Sequence, residues 1–194
     1  MPKTAIRVKG SDTTKIKCIE NFKESFTLGL TISLSGKFLK PIVVARGKTK
    51  RCLEKFKLND SVIGAYTESS WVNERCILIL LDEIYKVTKG ENSVLILDKH
   101  DSHKTQKIRD YAKIKNIHLI YVPEGTTSIY QPLDICINGI IKEKAIQKFS
   151  NFKAKQPKEK YKHDQCMIDI LEIKKSITKK TIIRSFDCLK IDKK

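Results

Sequence analysis

The chain has 194 residues, and its 39 Lys+Arg against 22 Asp+Glu give a formal charge of +17 and a pI near 9.6, an excess that favours a polyanionic partner. Apolar residues reach 40%, enough for one globular domain with a sizeable core and too many for a disordered chain. A bilayer span is excluded because the longest apolar run, Cys76-Ile-Leu-Ile-Leu-Leu, stops at Asp82, and no two of the six cysteines lie closer than 22 residues, which argues against a Cys-x-x-Cys zinc clip or a disulfide framework.

The first 24 residues form a basic lead-in with a turn cluster at Gly10-Ser-Asp-Thr-Thr, and no apolar leader follows Met1-Pro-Lys-Thr. Residues 25–150 read as the core. Phe26-Thr-Leu-Gly-Leu-Thr-Ile-Ser-Leu is rich in Thr and aliphatics, and the tight turn at Ser35-Gly36 leads it into Phe38-Leu-Lys-Pro-Ile-Val-Val-Ala, which predicts a hairpin. Pro41 weakens pairing at the start of the second strand or sets it at a sheet edge. A loop follows with cations at Arg46, Lys48, Lys50, Arg51, Lys55 and Lys57, suited to phosphates or to water.

Trp71 reads as a core anchor. Asn73 caps a predicted helix to about Lys86, with Ile77, Leu80, Leu81 and Ile84 on one face. Ser93 to Asp98 reads as a strand buried on both faces, residues 104–115 as a helix with Ile108, Tyr111 and Ala112 inward, and Ile117–Val122 as a second buried strand holding a packed His118. That strand–helix–strand spacing predicts a parallel crossover unit. Gly125-Thr-Thr-Ser reads as a polar loop, and Asp134 opens a helix to about Phe149. Residues 151–194 read as a basic, Pro-containing linker carrying Lys153, Lys155, Lys158, Lys160 and Lys162, then two short helices near 166–175 and 179–186 of the same domain.

The chemistry centres on Asp98 and Asp134. A carboxylate at the C-terminal end of a buried parallel strand faces the crevice where such sheets bind ligands. A second carboxylate follows the neighbouring strand, after 35 intervening residues. Mg²⁺ and Mn²⁺ prefer carboxylate oxygens and work on phosphodiesters. Taken alone, the same residues read equally well as a turn-former and a helix cap.

The flanking residues add a resemblance. Leu97-Asp-Lys-His-Asp-Ser-His103 and Val122-Pro-Glu-Gly-Thr-Thr-Ser-Ile-Tyr-Gln-Pro-Leu-Asp134 resemble the DDE superfamily endonuclease domain of pogo-type transposases and their jerky- and tigger-like cellular derivatives. Further likeness lies in Ser35-Gly-Lys-Phe-Leu-Lys-Pro, Gly47-Lys-Thr, Ser70-Trp-Val-Asn and Ile177-Thr-Lys-Lys-Thr-Ile-Ile-Arg-Ser-Phe. The resemblance implies an α/β, RNase H-like mixed sheet flanked by helices, with further helices at the C-terminus. It also implies Mg²⁺ or Mn²⁺ held by three acids, cleavage or joining of DNA, and residence in the nucleus. Asp98 matches the second acid and Asp134 the third, as catalytic and metal-binding residues, with His100, His103 and Gln131 supporting them. Lys48, Lys50, Arg51, Lys55 and Lys57 are the candidate nucleic-acid contacts.

Two departures stand out. Lys99 occupies the position usually held by Gly, and Asp101 replaces a small polar residue. No acid precedes Pro2, and Asp12 is the only aspartate before residue 60. The expectation is therefore an N-terminally truncated remnant that lacks the first central strand and has weak or no catalysis. The alternatives are a non-catalytic, DNA-binding or chromatin-associated derivative and an inert fragment. DNA is the expected partner, with no membrane and a homodimer as the candidate assembly.

Overall fold

The computed structural model describes residues 14–16, 25–100 and 103–189. The lead-in other than Thr14–Ile16, with Asp12, and also Asp101, lie outside the described residues. The elements in order are β1 (Thr14–Ile16), β2 (Phe26–Gly29), β3 (Ile42–Arg46), a 3₁₀ helix (Lys50–Phe56), β4 (Ile63–Thr67), α1 (Glu74–Thr88), β5 (Ser93–Asp98), α2 (Gln106–Ile114) and β6 (Ile117–Val122). They continue with α3 (Thr127–Tyr130), a π-helical turn (Leu133–Ile137), α4 (Asn138–Lys155), α5 (His163–Ser176), α6 (Lys179–Ser185) and a closing 3₁₀ turn (Phe186–Leu189).

The strands form a four-stranded sheet in the order β1-β2-β3-β4 and a separate parallel pair, β5-β6. β2 and β3 are antiparallel, with Leu28 opposite Val43, whereas β3 and β4 are parallel. This is the expected mixed α/β arrangement with strands flanked by helices, although the described strands do not join into one sheet. The predicted hairpin is present. Gly36 makes its turn at φ +80°, and the bridge Ile32–Phe38 continues the pairing beyond Gly29. Pro41 immediately precedes β3, which is an inner strand, so its missing N–H spares the ladder while its carbonyl accepts from Ile63 N at 2.8 Å.

Alternation along β3 divides the core. Val43 and Ala45 join Phe26, Leu28 and Phe56 against Cys166, Met167 and Ile170 of α5. Ile42 and Val44 face Cys76 of α1. A third cluster seats β5 and β6 on α1 and α2 through Leu81, Ile108 and Ala112. A fourth joins Ile137 and Ile141 to Ile173, Ile182 and Phe186.

Helix α1 follows its sequence closely. Asn73 is extended and its side chain accepts from Cys76 N at 3.2 Å, and Ile77, Leu81 and Ile84 are buried. Asn73→Ala removes the only side-chain acceptor recorded for that N–H, so thermal or urea melts should show a loss of about 1 kcal/mol.

Several expectations are corrected. Trp71 is 41% exposed and does not anchor a core. His118 is exposed, because the alternation of β6 turns it outward. The strand predicted to be buried on both faces, β5, leaves Val94 59% exposed, since alternation turns it to the face opposite Leu95, which packs against the α1 and α2 cluster. The basic loop contains a 3₁₀ helix, and Lys153 and Lys155 lie in α4, leaving 156–162 as the link to α5. Gly125-Thr-Thr-Ser is partly helical, because α3 begins at Thr127.

Candidate functional site

Asp98 ends β5 and is buried. Its carboxylate lies 2.6 Å, Oδ1 to Nδ1, from the buried His103 imidazole. A carboxylate can only accept, so Nδ1 carries the hydrogen and donates it. The turn that brings them together is built locally. His103 N donates to His100 O at 2.9 Å, and Tyr121 of the neighbouring strand donates its hydroxyl to His103 O at 2.8 Å. Thr105 then caps α2 by accepting from Ile108 N. His103 thus takes part in the turn and also orients the Asp98 carboxylate.

Removing either partner leaves the other buried with a lost bond. Asp98→Ala and His103→Ala should each destabilise, and their double variant should cost less than the sum by about 1.5–3 kcal/mol, the range of a bond to a charged group. Urea melts of the four proteins measure that coupling.

Asp134 lies within the π-helical turn rather than at a simple helix start, and wide turns of this kind recur at functional sites. Its Oδ1 accepts from Asn138 Nδ2 at 2.7 Å. Asn138, Gln131, Asp98, His100 and His103 line one cleft, and Asp134 reaches it through Asn138 rather than lining it itself. Gln131 is buried with its Oε1 unpaired. Asn138 and Tyr121 were not anticipated. The only sequence signal for Asn138 is its position four residues after Asp134, where helical side chains meet.

Among the described residues no three His, Cys, Asp or Glu side chains gather as a metal-binding group. The donors present have the right chemistry for Mg²⁺, namely hard carboxylate and amide oxygens. They fall short in number, and Asp98 and Asp134 each commit one oxygen to a neighbouring side chain. The described residues therefore do not make a complete metal site, and no step of cleavage is routed through one.

The basic segment stands apart from the cleft, none of its cations being among the residues lining it. It rises from β3 into the Lys50–Phe56 helix, which Phe56 pins to the core against Phe26 and His163, with ring centroids 5.1 and 4.9 Å away. Gly64 of β4 admits this helix closely: a Cβ there would meet Leu53 and Leu58 side chains at 2.9 Å. Arg46, Lys48, Lys50, Arg51, Lys55 and Lys57 are all exposed. Lys57 binds the Asp164 carboxylate at 2.7 Å and holds that carboxyl below its usual range, and Lys48 lies 3.7 Å from Glu68. Among the described residues no carboxylate pairs with Lys50, Arg51 or Lys55.

A protein of Cochliobolus lunatus described as the MFS-type transporter clz9 is 30% identical over 140 residues, which is 68% of this chain and 15% of that protein, so the chain spans a small part of its relative's length. No solved structure matches. The family model of the DDE superfamily endonucleases matches residues 23–186, from ahead of β2 into the last turn, and by that match the chain belongs to the DDE superfamily endonucleases.

Proposed function

We propose that this chain is a transposase-derived, DNA-binding protein of the pogo type, with tigger- and jerky-like relatives, in which metal-dependent strand cleavage is impaired. The observation that supports the reading is the buried Asp98, locked to His103, in a site where no third His, Cys, Asp or Glu gathers as a metal-binding group among the described residues. Asp98 and Asp134 are the acids of the ancestral reaction, with His100, His103 and Gln131 around them. The polyanion is held by Lys50, Arg51 and Lys55, with Lys48 and Lys57 joining once their acidic partners are displaced. A net charge of +17 gives the duplex a long-range attraction beyond these contacts. On this reading the protein acts in the nucleus, with a homodimer as its assembly and no membrane stage.

Transport does not carry over from the transporter relative. No described helix is long and apolar enough to cross a membrane, and the shared stretch is 15% of that protein.

Fluorescence anisotropy with a labelled duplex tests the DNA reading. The 194-residue chain should bind duplexes of unrelated sequence with similar affinity, because lysine contacts to phosphate position a protein without reading bases. The variant Lys50→Gln/Arg51→Gln/Lys55→Gln should bind clearly more weakly. Absence of binding at low salt, or a triple variant that binds as well as the parent, would reject the assignment.

A further inference from the structure

Thr49 stands in the middle of the cationic segment, between Lys48 and Lys50, and is exposed. It occupies the N-cap position of the Lys50–Phe56 helix with extended backbone angles, φ −133° and ψ 162°, yet its hydroxyl makes no capping bond. The residue is held by its carbonyl, which accepts from Cys52 N at 3.3 Å, and Gly47 N ties the segment to β4 by donating to Thr67 O at 2.9 Å. Hydroxyls beside other cations are engaged. Thr88 Oγ1 donates to Tyr85 O, Thr105 Oγ1 accepts from Ile108 N, and Thr178 Oγ1 accepts from Thr181 N.

The order of charges around Thr49 favours one reaction. Arg46, at the exposed end of β3, lies three positions before it, and no other Ser or Thr of the 194 residues has Arg at that distance. Arginine-directed Ser/Thr kinases read a cation there with carboxylates of their own and take the acceptor in an extended backbone. Lys50 directly follows the hydroxyl, which does not suit a proline-directed enzyme. Arg46, Lys48, Thr49, Lys50 and Arg51 are all exposed, so the folded chain presents this stretch on its surface. A phosphate on Thr49 would carry about −1.5 to −2 charges. Lys50 is its direct neighbour, and the guanidinium of Arg51 one residue further can meet phosphate oxygens in pairs. Lys48, 3.7 Å from Glu68 in an exposed pair, gains a stronger partner.

We propose that Thr49 is the acceptor of an arginine-directed Ser/Thr kinase, and that its phosphate releases DNA by neutralising the cationic segment from within. In the transfer the Oγ1–P bond forms as the γ-phosphorus of ATP parts from its bridging oxygen. ADP leaves, and the hydroxyl proton passes to the kinase's base. The acceptor role stands on the exposure and charge order of the segment; the release of DNA rests on the DNA reading above.

The test incubates the full 194-residue chain with Mg²⁺, ATP and the catalytic subunit of cyclic-AMP-dependent protein kinase, locates the label by mass spectrometry and follows duplex binding by anisotropy. One phosphate at Thr49 is expected. Thr49→Ala should lose that label and bind duplex as the parent does, and Arg46→Gln should be labelled about tenfold more slowly, having lost one charge pair with the kinase. The weakening of DNA binding between about 50 and 200 mM salt should shrink from roughly 40-fold to roughly 3.5-fold on phosphorylation, as two of three contacts are neutralised. Phosphatase treatment should restore the parent's behaviour. No label at Thr49, under conditions that fully label a free peptide of residues 43–54, would overturn the proposal. So would a phosphorylated chain that binds duplex with the parent's affinity and salt slope. An unmodified parent that fails to bind DNA would reject the DNA reading and the release with it, whereas the mass reports the acceptor role separately.

Discussion

Replacing Phe56 by alanine is expected to lower the stability of the domain by about 3–5 kcal/mol, the range for deleting a fully buried aromatic ring. Phe56 is 1% exposed and sits between the rings of Phe26 and His163. Its removal takes away both the transferred apolar area and two edge-on ring contacts, and leaves a void under β2. The site has little freedom to collapse, because Leu28, Val43 and Ala45 around it belong to paired strands. Urea denaturation reads the loss directly. Phe56 is also the only fully buried residue of the Lys50–Phe56 helix, so the variant should bind DNA more weakly even where it remains folded, since Lys50, Arg51 and Lys55 lose their anchored backbone. A midpoint unchanged from the parent would mean that the 3₁₀ helix is not docked as described.

Raising salt from about 50 to 200 mM should weaken DNA binding by roughly 40-fold if three phosphates are neutralised by three of the segment's cations, from a slope near −0.9 per contact. The three are Lys50, Arg51 and Lys55, whereas Lys57 must first leave Asp164 and Lys48 must leave Glu68. Exposed pairs of this kind are weak, so the engaged surface grows if DNA outcompetes them. A steeper slope would report that enlargement. The triple Gln variant should flatten the slope by close to three contacts, and a slope near zero in the parent would remove the electrostatic basis of binding altogether.

Much of the scaffold was legible because local signals agreed with one another. Asn73 capping a run with Ile77, Leu81 and Ile84 on one face could be little but an amphipathic helix, and the structure begins it one residue later. Ser35-Gly36 between two β-rich runs specified the hairpin, since Gly36 adopts a positive φ that its neighbours would resist. The parallel pairing of β5 and β6 followed from their spacing around α2. Other elements were hidden. β4 contains Gly64 and Ala65, whose weak strand preference masks it, and its place is set by pairing with β3 and by contact with Leu53 and Leu58. The 3₁₀ helix was masked by its charge, with only Leu53 and Phe56 three residues apart to mark an inward face.

Burial was the least readable property. An apolar run such as Ser93–Asp98 signals a strand buried on both faces, yet whether both faces are covered depends on residues far away in sequence, and Val94, opposite the face that packs on α1 and α2, lies more than half exposed. At the site, the position of Asp98 at the end of β5 could be read from the sequence. Its 2.6 Å contact with His103 could not, because that depends on the path of the turn between them. The placement of Asp134 in a π-helical turn was equally hidden, since no propensity distinguishes such a turn from an ordinary helix start.

Incubating the purified 194-residue chain with supercoiled plasmid and Mg²⁺ or Mn²⁺ tests the account most directly. The expected result is plasmid bound in a salt-sensitive manner with no nicking above background, identical for the parent and for Asp98→Ala. Divalent-metal-dependent nicking by the parent that disappears in Asp98→Ala and Asp134→Ala would contradict the account, because it would mean that the acids present suffice to hold the metal and cut.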